Sequence, residues 1–132
     1  MLGLVVGCSG SSSSSALAEF SEVEIEFLRA QAEANGVEAD DASLLDTLRF
    51  RAACRVWMLA LQRSDSGEDP INQEVRNLAE VTANEHGQPE IAATYRQLVV
   101  SLEQGDITSV GDWVAGSCAG VTIDPDEKVK VG

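Results

Sequence analysis

Aromatic side chains are scarce in this chain: Phe, Tyr and Trp supply 5% of the residues, although 44% are hydrophobic. Ala, Val and Leu carry the apolar content, which favours helix packing over aromatic-rich sheets and over the stacked-ring surfaces that bind carbohydrate. Positive charge is scarce as well. Nine Lys and Arg face 22 Asp and Glu, giving a formal net charge of −13. A field of that sign repels phosphate backbones and anionic headgroups, so nucleic acid is not an expected partner. It leaves two readings open: a soluble surface, or a docking surface for a basic partner. The single histidine excludes the common zinc arrangements. No apolar run reaches the roughly 18 residues of a membrane-spanning helix. Phosphate loops, nucleophile elbows, paired cysteine motifs, internal repeats and long heptad arrays are also missing. No metal or cofactor is expected on these grounds. What the 132 residues do supply is enough apolar material for one ordinary domain.

The N-terminus carries the most specific pattern. A short apolar stretch, Met1 to Val6, meets Gly7-Cys8 and then switches to Ser9-Gly10 and five serines, Ser11 to Ser15. Val5-Val6-Gly7-Cys8 resembles the lipobox of bacterial lipoprotein precursors, where aliphatic and small residues precede a cysteine that is modified. The resemblance implies diacylglycerol on the Cys8 sulfur and cleavage between Gly7 and Cys8, leaving Cys8 as the mature N-terminus. Small side chains let an extended segment enter a protease groove at the membrane face, and the lipid replaces the apolar anchor that is removed. The basic start and fuller apolar run of a signal peptide are then expected upstream of Met1. On this reading residues 1–7 are residual signal, 8–16 a Ser-rich tether, 17–120 a helical domain and 121–132 a flexible tail or small hairpin. The localisation implied is the cell envelope, on the extracytoplasmic side, with the membrane reached through the lipid. The competing reading makes Leu2 to Val6 a short buried strand, which needs strand partners that the rest of the chain hardly offers.

The body of the chain predicts an all-α fold, a compact bundle of four to five antiparallel helices joined by short connections. Phe20, Val23, Phe27, Ala30 and Ala34 predict a first helix from Ala16 that ends at Asn35-Gly36, with Glu19, Glu22, Glu24 and Glu26 facing solvent. Asp40 or Asp41 can cap a second helix through about Arg63. Its stripe of Phe50, Cys54, Trp57, Met58 and Leu61 is broadened by Leu44, Leu48, Ala52, Val56 and Leu59, while Arg49, Arg51, Arg55 and Arg63 take the remainder. Asp69-Pro70 predicts the start of a third helix, with Ile71, Val75, Leu78 and Thr82 inward and His86-Gly87 as its end. Pro89 to Gly105 bounds a fourth, carrying Ile91, Tyr95, Leu98, Val99 and Leu102 on one face. Asp106 can cap a fifth, in which Ile107, Val110, Val114 and Cys118 share a face.

If Cys8 carries lipid, Cys54 and Cys118 remain, both on core faces, and an exported domain would join them as a disulfide. In a reducing compartment they would be two buried thiols. A nucleophile pair of Cys54 with His86 is disfavoured by the apolar stripe around the thiol, and His86 suits a helix terminus. The acidic segments Asp65 to Asp69 and Asp124 to Glu127 lack the calcium-loop pattern and read as turn chemistry. Trp57 is expected in the core. Trp113 flanks an apolar face, where it either packs inward or marks a recognition patch. The functional expectation is a lipid-anchored helical binding or interaction module with no catalytic residues, whose ligand is an unknown protein or small molecule, a basic one where the acidity serves docking and not only solubility. The alternatives are a small hydrolase using paired carboxylates, and a cytosolic acidic adaptor.

Overall fold

Local chemistry at the helix ends sets most of the architecture. The computed structural model describes residues 17–38 and 40–124, and among them five helices and no strand occur. They are α1 (Glu22–Ala34), α2 (Asp41–Asp65), α3 (Gln73–Asn84), α4 (Pro89–Glu103) and α5 (Ile107–Ser117). The all-α class is the one expected from the periodicity. Val121 to Asp124 form no strand, and the remainder of the expected tail or hairpin lies outside the described residues.

α1 differs most from the sequence reading. The chain turns before it, with the Phe20 N–H donating to the Leu17 carbonyl at 3.0 Å, and the extended Ser21 sets the start at Glu22 rather than Ala16. Glu24, Ile25 and Leu28 are the buried residues of α1, whereas Val23 is 43% exposed and Ala30 and Ala34 face solvent. The turn at Leu17–Phe20 takes Phe20 out of the helical register, and Ile25 with Leu28 offers more apolar surface to bury than two alanines do. Glu24 therefore points inward, contrary to its expected place among the solvent-facing glutamates.

The other helices follow their caps. Asp40 accepts the Ser43 N–H at 2.8 Å, and Asp106 accepts the Ser109 N–H at 3.2 Å, so α2 and α5 start where capping predicts. At α3 the cap is Asn72, whose Oδ1 accepts the Val75 N–H at 2.9 Å. Asp69 instead closes a tight turn by accepting the Ile71 N–H at 2.9 Å, which moves the helix start past the expected Pro70. Gly87 and Gly105 end α3 and α4 with positive φ angles of 62° and 78°. Both permit the returning bonds that close a helix: Gln88 N–H to the Thr82 carbonyl at 3.0 Å, and Asp106 N–H to the Ser101 carbonyl at 2.8 Å.

The described residues fall into two units, 17–51 with Asp124 and Ala52–Ile123, the boundary lying within α2. In the first, Leu17, Ile25, Leu28, Leu44, Leu45 and Leu48 form the core, with Phe20 and Phe27 against it. In the second, Trp57, Val75, Tyr95, Leu98, Leu102 and Val110 are the larger members of a cluster in which α3 packs on α4 and α4 on α5.

Candidate functional site

The first unit holds a buried ion pair. The Arg51 Nε donates to the Glu24 Oε2 at 2.6 Å, with 9% and 2% of the two side chains exposed. The Arg51 guanidinium also lies 5.7 Å from the centre of the Phe27 ring, where the ring face favours a cation. The sequence pattern places Arg51 in the polar remainder of its helix. Its position explains the difference: it follows Leu44 and Leu48 at helical spacing, so a cation here enters the core and needs a carboxylate beside it. A charged residue at a core register is the signal that could have revealed the pair.

Two clefts open on the same unit. One, of about 390 Å³, lies among the Leu17–Phe20 turn, α1 and the first residue of α2. Its apolar lining comes from Leu17, Ala18, Phe20 and Ile25. Glu22, Glu26, Asp41 and Arg29 supply the charged lining. Arg29 and Asp41 approach to 3.6 Å with 53% and 43% of their side chains exposed, an ion pair that contributes little in water. The second cleft, of about 270 Å³, lies between the end of α1 and the start of α2 and mixes Leu28, Ala32 and Val37 with Asn35, Ser43 and Thr47.

In the second unit Cys54 and Cys118 form a disulfide with Cα atoms 5.8 Å apart, both residues being buried. This is the pair expected of an exported chain. Beside it, the Arg55 Nε donates to the Thr122 carbonyl at 2.7 Å, so two adjacent residues of α2 hold the segment that follows α5. Trp57 is fully buried, as expected. Trp113 is half-buried and meets Tyr95 edge-on, with ring centroids 6.1 Å apart and planes at 88°. Tyr95 in turn lies 6.0 Å from Trp57. Trp113 thus packs on the core cluster and ends the aromatic series Trp57, Tyr95, Trp113. His86 follows α3, at the terminus expected for it.

Three titrating groups carry clear shifts. The Ser43 backbone and hydroxyl groups bonded to Asp40 hold its carboxyl below the ordinary 3.8. The Ser109 hydroxyl and N–H do the same for Asp106. Burial pushes the Tyr95 hydroxyl up to about 12. Cys8 lies outside the described residues. Among those described, no group of three His, Cys, Asp or Glu side chains is placed to hold a metal ion, and no helix is long and apolar enough to cross a membrane. No protein-family model, curated protein or solved structure matches this chain.

Proposed function

We propose that the chain is an extracytoplasmic domain held at a membrane by lipid on Cys8, and that it acts there as a binding module rather than as a catalyst. The observation that carries the reading is the buried Cys54–Cys118 disulfide. Disulfides persist in oxidising compartments and are rare in the reducing cytosol, so this one agrees with the export implied by Val5-Val6-Gly7-Cys8. The two features are far apart in sequence and rest on different chemistry, one on a protease and lipid-transfer motif, the other on thiol oxidation. The serine run after Cys8 suits a tether that spaces a folded domain from the bilayer. A single acyl chain binds membranes weakly, whereas two or more chains anchor stably, so a diacylglyceryl cysteine is sufficient without any spanning helix.

The binding role rests on surface chemistry. The net charge of −13 and the cleft rimmed by Glu22, Glu26 and Asp41 favour a cationic ligand. Growth of the native host with an alkyne-bearing fatty acid tests the anchor. The wild-type chain is expected to take up the label and to sediment with membranes, and Cys8→Ser to lose both properties. Equal labelling of wild type and Cys8→Ser would rule out the anchor at this residue.

A further inference from the structure

The geometry points to the cleft over Leu17, Phe20 and Ile25 as a docking site for a basic amphipathic segment of a protein partner, with an apolar side chain on its floor and Lys or Arg side chains at Glu22 and Glu26. This deepens the binding role proposed above and rests on it. The rim carries three carboxylates, Glu22, Glu26 and Asp41, against one guanidinium, and that guanidinium is already turned to Asp41 at 3.6 Å. Glu22 and Glu26 are exposed and one helical turn apart, so both face the same side of α1 and can meet two cations spaced along one strand or one helical face. Phe20 is half-buried and Ala18 exposed, which leaves apolar surface between the carboxylates.

Charge argues against two other occupants. A second copy of this chain brings another net charge of −13. Residues 1–16 contain no Lys or Arg, so they bring no cationic side chain to the rim. Within the chain, the basic and apolar alternation recurs at Lys128-Val129-Lys130-Val131, and this segment is therefore the internal competitor that the test must separate.

The experiment is a backbone-amide NMR titration of the full chain with the synthetic peptide acetyl-Lys-Leu-Lys-Phe-Lys-Leu-Lys-amide, at low and at physiological salt. The signals of Ala18, Glu22 and Ile25 are expected to move, and the Glu22→Gln/Glu26→Gln variant to bind roughly twofold to thirtyfold more weakly, as loss of two exposed charge pairs implies. Glu74→Gln/Glu80→Gln on α3, in the other unit, removes the same net charge and is expected to weaken binding by less than about twofold, through the general field alone. A matched peptide with Glu in place of Lys gives the same readout on the unaltered chain, should the cleft variant fold poorly, and is expected to leave the cleft signals unmoved. Equal weakening by the two variant pairs would reduce the effect to net charge and overturn the site. Movement of the Glu22 and Ile25 signals by Lys128→Gln/Lys130→Gln, with no peptide present, would assign the cleft to the chain's own tail and overturn the separate partner. An unlipidated Cys8 would refute the anchor while leaving a positive titration intact, so the two failures are distinguishable.

Discussion

Arg51 lies one turn beyond Leu48 on the inward side of α2, and its pairing with Glu24 makes that position tolerable. Removing one partner strands a buried charge, so Glu24→Leu or Arg51→Met alone is expected to cost about 3–5 kcal/mol in urea unfolding. The double variant Glu24→Leu/Arg51→Met should recover most of that loss; a double variant as unstable as the sum of the singles would show that the pair is not an isolated ionic contact. Tyr95 gives a second prediction. Its folded-state pKa of about 12 lies above the ordinary 10.0, because burial favours the neutral phenol. Its contribution is therefore intact below pH 10 and lost as pH rises from 10 towards 12, by roughly 2 to 3 kcal/mol. Tyr95→Phe should flatten that alkaline loss in unfolding curves recorded across the interval, and an unchanged slope would refute the assignment. For Asp40 and Asp106 the sign is opposite: their folded-state values are depressed, so the stabilisation is present above 3.8 and lost as pH falls through the lower folded value.

The caps show where helices were legible and where they were not. Asp40, Pro89, Gly105 and Asp106 act at the places that local chemistry predicts, because capping is decided within a few residues. Asp69-Pro70 misled because a tight turn and a helix cap use the same carboxylate oxygen to accept an N–H two or three residues on. Asn72→Ala is expected to destabilise the fold by about 1 kcal/mol and Asp69→Ala by less, as read from thermal unfolding; the reverse order would return the cap to Asp69. On α1 the apolar spacing puts Val23, Ala30 and Ala34 inward where Ile25 and Leu28 are the buried residues, while Phe20 and Phe27 of the expected stripe do lie against the core. The choice between them is made by the turn at Leu17–Phe20 and by Arg51, which is distant in sequence. The glycine-bearing α5 was correctly placed, and the disulfide at its end fixes it to α2. Closing a separation of 64 residues is worth roughly 4 kcal/mol on the chain-entropy model. Cys54→Ser/Cys118→Ser should lower the unfolding midpoint accordingly, and the reductant concentration that lowers the wild-type midpoint to the same value should leave that variant's midpoint unchanged.

At the scale of the whole molecule, composition indicated the helical class, while the division of the apolar residues between two clusters was not legible. Both clusters draw on the same long amphipathic α2, and a stripe broad enough to serve two cores reads in sequence as one central helix. The cleft on α1 was equally hidden, because its rim depends on which face α1 turns inward. The anchoring account joins Cys8 to the Cys54–Cys118 disulfide through a single inference about compartment, and one measurement addresses both ends. Protein isolated from its native host without reductant, digested and weighed by mass spectrometry, is predicted to give an N-terminal peptide that starts at Cys8 and carries diacylglycerol, together with a linked pair of peptides containing Cys54 and Cys118. An unmodified peptide running through Gly7-Cys8, with Cys54 and Cys118 recovered as free thiols, would contradict the account.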